Sequence, residues 1–120
     1  MTVGGHRAER VAEEMRNEIS LMLAGDLKDP RLAVPIVISE VRMRPDMRVA
    51  RVFVQIEGQP EERDAALAGL EAASGYVRHE LAERLRLRRT PELFFVPDDS
   101  EDYGQRIDEL LRKVSRADKP

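Results

Sequence analysis

Apolar residues recur at helical spacing at the start of the chain: Val11, Met15, Ile19, Met22 and Leu23 fall on one face and predict a helix from near Arg7 to Leu27. Gly4 and Gly5 precede it, and the stretch KDPRL (28–32) ends it, because Pro30 disfavours helical backbone at Asp29. The period then drops to two. VPIVISEVRM (Val34–Met43) is rich in β-branched residues, and RVARVFVQIEG (Arg48–Gly58) alternates, with Ala50, Val52, Val54 and Ile56 on one face and Val49, Arg51, Phe53 and Gln55 on the other. RPDMR between them carries Pro45 and Asp46, which predicts the turn of an antiparallel hairpin.

The polar loop EGQPEER leads into a second helix built on Leu67 and Leu70 among Ala65, Ala66, Ala68, Gly69, Ala72 and Ala73. Side chains this small let a helix lie close to a neighbour. Helical pattern continues on both sides of Gly75, where glycine costs about 1 kcal/mol relative to alanine. Beyond it, Val77, Leu81 and Leu85 form a new stripe, and a third strand, Glu92–Val96, stands between Pro91 and Pro97. A last amphipathic helix is expected from about Glu101, with Tyr103, Ile107, Leu110, Leu111 and Val114 on its apolar face. The expected fold is α+β: helix, strand, strand, helix, helix, strand and an appended helix, with a three-stranded sheet whose helices lie on one face. With 120 residues and no linker or repeat, the chain reads as a single domain, 1–120, with a core of about 6–115 and short polar termini.

Composition narrows the function. There is no Cys, so thiolate metal sites and disulfides are out. No apolar run approaches the roughly 18 residues of a membrane span, and the N-terminus has no apolar signal region, so a cytoplasmic protein with no membrane partner is expected. An aromatic content of 4% argues against a base-stacking sheet. His79 and Glu83 stand four apart but have no third ligand at matching spacing. The acidic group Asp98, Asp99, Glu101 and Asp102 reads best as favourable charge at a helix N-terminus. No glycine-rich phosphate loop or nucleophile set is present. No enzyme, no cofactor and no metal is expected, and the absence of a heptad seam makes a monomer the plain expectation.

A net charge of −3 hides segregation. Arg31, Arg42, Arg44, Arg48 and Arg51 cluster against Glu40 and Asp46; Arg78, Arg84, Arg86, Arg88 and Arg89 cluster against Glu80 and Glu83. Arginines neutralise phosphates and release counterions, so a basic face with acidic residues elsewhere suits docking on RNA. The group Arg78, Arg86, Arg88 and Arg89 is the main candidate. Arg44 and Arg48 flank the hairpin turn, where long side chains reach outward, although turn solubility alone would also place them there. Arg84 and Arg88 would fall toward the apolar stripe unless the helix stops near Leu85.

The combination of KDPRL, ASG (73–75) before an arginine-bearing helix, and RLR (84–86) before PEL (91–93) resembles the ribosome-binding factor A family over nearly the whole chain. The resemblance implies a type II KH-like domain in which an Ala-x-Gly kink, here Ala73-Ser74-Gly75, replaces the Gly-x-x-Gly loop that clamps RNA in ordinary KH domains. On that reading Ser74 and Gly75 join Arg31, Arg44, Arg48, Arg78, Arg86, Arg88 and Arg89 as RNA-binding candidates. Gly75 would permit a bend or a close approach of RNA backbone; a kink serving only to pack two helices is the alternative. The implied partners are 16S rRNA and the immature small (30S) subunit, with support of 5′-end processing, a ribosome-dependent GTPase as release partner, and greatest need in the cold. Binding another structured RNA and acting as a protein–protein adaptor remain as alternatives.

Overall fold

The computed structural model describes residues 3–98 of the chain; the expected last helix lies outside the described residues. The order is α1 (Val3–Gly25), a 3-10 turn (Pro30–Leu32), β1 (Ile36–Met43), β2 (Val49–Ile56), α2 (Pro60–Ala72), α3 (Ser74–Leu85) and β3 (Glu92–Pro97). Helix α1 begins four residues before the expected Arg7 and ends two before Leu27. Its two N-terminal glycines weaken the helix without stopping it. Its last turn closes where the N–H groups of Asp26 and Leu27 both donate to the Met22 carbonyl, at 2.8 and 3.0 Å.

The hairpin forms as expected, β1 antiparallel to β2, and β3 adds parallel to β2, giving the order β1-β2-β3. One irregularity was not legible. The register shifts between Ile38 and Glu40, leaving Ser39 bulged. A bulge inverts which residues face inward, so Ile38 before it and Val41 after it are both buried. That explains why a run of apolar residues without clean alternation still builds a strand with one wet face. The single Ser39 hydroxyl proton is shared between Asp98 Oδ2 (2.5 Å) and the Phe53 carbonyl (3.2 Å), which holds the bulge in place.

The three described helices stand on the inner face of the sheet. Met15, Ile19 and Met22 of α1 are fully buried with Val52, Val54, Leu70, Val77 and Leu81 in one cluster. Complete burial of such side chains contributes roughly 1.5–3 kcal/mol each. Ala50, Val52 and Val54 face this core as their alternation predicts, with Leu93 and Phe95 beside them. Helix α2 starts on Pro60, and the Gln59 N–H donates to Glu62 Oε1 at 2.9 Å, half of a capping box.

The break between α2 and α3 falls at Ala73, not at Gly75. Ala73 has φ −85° and ψ −5°, an ordinary right-handed conformation open to any residue. Gly75 lies inside the first turn of α3, its φ is not positive, and a Cβ built on it meets nothing within 4 Å. The break thus falls within the expected Ala73-Ser74-Gly75 stretch, but it does not depend on the conformational freedom of Gly75. The glycine that packing does require is Gly69. It is buried, and a Cβ there would come within 3.0 Å of Leu32 Cδ2 and 3.3 Å of Arg31 Cβ. KDPRL thus docks on α2 through the absence of a side chain.

Candidate nucleic-acid interface

Strands β2 and β3 are parallel, so both begin at the same end of the sheet. The Glu92 N–H donates to the Arg48 carbonyl at 2.8 Å, which joins the hairpin turn to the loop that follows α3. Arg44 and Arg48 therefore share one rim with residues 86–91.

Each half of the rim has a local reason for its shape. In the hairpin, the Met47 N–H donates to the Arg44 carbonyl (2.8 Å), Pro45 presets the turn, and Met47 takes a positive φ of 60°. Asp46 accepts from the Arg48 N–H at 3.0 Å and pairs with the Arg44 guanidinium, which holds its carboxyl below the usual carboxylate range. Arg44 is thus tied back to its own turn, whereas the Arg48 guanidinium has no hydrogen-bond or ion-pair partner among the described residues.

After Leu85 the chain leaves the helix through Arg86, which adopts φ 52° and ψ 47° and donates its N–H to the Ala82 carbonyl. Glycine or asparagine usually fills this left-handed position. An arginine here turns its side chain away from the helix and into solvent. The helix ends at Leu85, so Arg88 is not pressed toward the apolar stripe. Arg86, Arg88 and Arg89 are exposed and have no side-chain partner among the described residues.

Arg78 is tied into the fold as well as being part of the expected group. Its Nε donates to the Pro91 carbonyl (3.1 Å) and its Nη2 to the Thr90 carbonyl (3.2 Å). It latches the loop to α3 and so positions Arg88 and Arg89, while its charge still adds to the rim. Arg84, outside the expected group, holds α3 to α1. It reaches Asp26 at 2.6 Å and Glu18 at 3.4 Å, with Glu80 of its own helix at 3.1 Å. The Glu80–Arg84 spacing was visible in the sequence; the two α1 carboxylates were not.

The remaining candidates have settings of their own. Arg31 belongs to the 3-10 turn, where Asp29 accepts from its backbone N–H (2.9 Å) and from its guanidinium (2.7 Å at the shortest). Asp29 is held below the ordinary carboxylate range, first by the Arg31 guanidinium and then by that N–H. Ser74 and Gly75 open α3, and Gly75 is exposed with open space around it. No described hydrogen bond or ion pair joins Arg31, Ser74 or Gly75 to the rim. His79 and Glu83 stand 3.9 Å apart, both 68% exposed, and no metal-binding group of three or more such side chains occurs among the described residues. No described helix is long and apolar enough to cross a membrane.

The described residues form a three-stranded α+β fold with helices on one face and arginines without ion-pair partners along one end of the sheet, the form of a small binding protein suited to a polyanion. Residues 7–111 match the family model for ribosome-binding factor A, and the chain belongs to that family. It is 45% identical over 109 residues to ribosome-binding factor A of Brevibacillus brevis, covering 91% of this chain and 89% of that one. The solution structure of a putative ribosome binding factor A from Thermotoga maritima superposes with a TM-score of 0.65 at 33% identity, over 75% of this chain and 85% of that one. The Thermus thermophilus ribosome binding factor A homology model, fitted into the cryo-EM map of a 30S complex, superposes with a TM-score of 0.52 at 30% identity, over 69% and 90% of the two chains.

Proposed function

We propose that this protein is a non-enzymatic assembly factor that binds the immature small ribosomal subunit on 16S rRNA, with the sheet-end rim as its main contact. The observation that carries the reading is the rim itself: Arg48, Arg86, Arg88 and Arg89 are gathered at one end of the sheet, and no hydrogen bond or ion pair ties their guanidiniums to a carboxylate among the described residues, although Arg48 lies in the field of Asp46. Exposed guanidiniums with unused donors suit bidentate contact with phosphates, and each phosphate neutralised releases counterions. The 30S complex of the Thermus thermophilus relative supports the choice of subunit.

On this reading the protein acts as a KH-like monomer in the cytoplasm. It favours one rRNA conformation over its competitors and shifts the population by the difference in affinity. That shift supports 5′-end processing, matters most in the cold, where misfolded RNA is slow to escape, and ends when a ribosome-dependent GTPase releases the factor. Arg31, Ser74, Gly75 and Arg44 serve as secondary contacts, and Arg78 as the residue that sets the loop.

Co-sedimentation with mature and immature small subunits across a salt series tests the proposal. Preference for the immature subunit is expected, with a slope of about −0.7 to −0.9 per phosphate contact in log binding constant against log salt. Replacing Arg86, Arg88 and Arg89 by Ala together should weaken binding and flatten that slope, with thermal stability nearly unchanged because none of the three has a described partner. Unchanged binding by a folded triple variant would remove the rim from the site. Binding to neither subunit form at low salt would overturn the function.

A further inference from the structure

Among the described residues, helices cover only one face of the sheet, and the opposite face carries a row of side chains that the rim does not explain. The strand register places Arg42 opposite Arg51, and Arg51 beside Phe94, so these three stand side by side across β1, β2 and β3. Like charges directly opposite each other in a strand pair are destabilising. Arg42 shares its charge with Glu40 at 3.0 Å and lies over the Phe53 ring at 5.2 Å. Arg51 has no side-chain partner among the described residues. Phe94 is 47% exposed and Val37 on the same face 57% exposed. Two of the three phenylalanines thus stand on the outer face, so a low aromatic content conceals a local concentration.

We infer that this outer face is a second contact for RNA, taking an unpaired nucleotide whose base stacks on Phe94 and whose phosphate lies against Arg51 and Arg42. The inference rests on the proposed function. Three observations favour RNA over other partners. Two facing arginines leave a place for an anion that relieves their repulsion. A bare aromatic beside them is what a base uses, since every base has a face to stack. The row also continues the rim, because Arg42 and Arg51 lie two and three residues along their strands from Arg44 and Arg48, a step of roughly 7–10 Å. Glu40 pairs with Arg42, Asp98 bonds Ser39 and also acts on Arg42 through space, and Glu92 stands at the rim end of β3, so Arg51 is the cation of the row left for the phosphate. None of these carboxylates separates Arg51 from Phe94 in the register.

The test uses the full chain, labelled with nitrogen-15 and titrated with hexauridylate at low salt, with hexaglutamate as a control anion. The expected result is amide shifts at Arg42, Arg51, Phe53 and Phe94 with hexauridylate and none of comparable size with hexaglutamate. The double variant Arg51→Gln, Phe94→Ser changes exposed side chains and should keep the native spectrum while weakening hexauridylate about five- to a hundredfold. Equal response to hexaglutamate would make the face a charge site and overturn the stacking claim. Shifts confined to Arg86–Arg89, or silence on the outer face because the chain's own residues cover it, would also overturn it. Either of those results would leave the small-subunit proposal standing on its own co-sedimentation test, whose failure in turn would leave an outer-face response to hexauridylate measurable.

Discussion

Two glycines six residues apart divide the middle of the molecule into unlike regions. Around Gly69 the chain is crowded: the 3-10 turn presses Leu32 and the Arg31 Cβ into the place where a side chain would be. Around Gly75 the chain is open, and nothing lies within 4 Å of an added Cβ. The first glycine is explained by packing. The second is required by neither packing nor backbone conformation. The same division runs through the arginines. Arg31, Arg44 and Arg84 form ion pairs with carboxylates of the fold, whereas the guanidiniums of Arg48, Arg86, Arg88 and Arg89 form none among the described residues.

Gly69→Ala should produce the largest effect of those that follow. Alanine would gain about 1 kcal/mol of helix propensity, against overpacking that typically costs about 1–3 kcal/mol. Leu32 cannot swing away without giving up its packing on the core, and the Arg31 Cβ is fixed to the backbone of the turn. A net loss of up to about 2 kcal/mol in urea unfolding is therefore expected. A stabilised Gly69→Ala protein would show that the turn yields freely, and the contrast with Gly75 would collapse.

Gly75→Ala sharpens the comparison from the other side. The position is helical and open, so alanine should stabilise the fold by about 0.5–1 kcal/mol. If RNA backbone approaches this turn closely, small-subunit binding should fall while stability rises. Opposite signs in the two measurements could not come from a folding defect. Higher stability with unchanged binding would leave Gly75 with no role in either packing or recognition.

Most of the architecture was legible because its signals are periodic. The alternation from Ala50 to Ile56 placed the inner face of β2, and the stripes of α1 and α3 identified the residues that meet it. The junction was harder to read. A glycine inside a helical pattern draws attention because it is costly there, yet the helix breaks one turn's edge earlier, at an alanine in ordinary conformation. The bulge at Ser39 is fixed by bonds to Phe53 and Asp98, one of them 59 residues away in sequence, which no local pattern announces. The rim was legible as a list of arginines but not as a place. Joining Arg48 to the Arg86–Arg89 loop takes the parallel pairing of β2 and β3, and separating Arg84 from that group takes the α1 carboxylates.

The smallest expected effect concerns acid, and it tests what holds the crowded region together. Asp29 has its pKa lowered in the folded protein by the Arg31 guanidinium and N–H, from an ordinary value of 3.8. A carboxyl depressed on folding adds stability that is complete above its unfolded pKa and is lost as pH falls through the folded one. Acidification should therefore lower the urea midpoint of the wild type, through Asp29 together with Asp46 and Glu13, which are depressed by Arg44 and Arg16. Asp29→Asn keeps an oxygen to accept from the Arg31 N–H but removes the charge. It should start with a slightly lower midpoint at neutral pH and lose less on acidification. The pair is exposed, so solvent screening keeps this difference small. Parallel acid curves for the two proteins would mean that the ion pair adds nothing, and that Leu32 on Gly69 holds the turn alone. Curves that converge in acid would show that charge and close packing secure KDPRL together, in contrast to the open turn at Gly75 where neither acts.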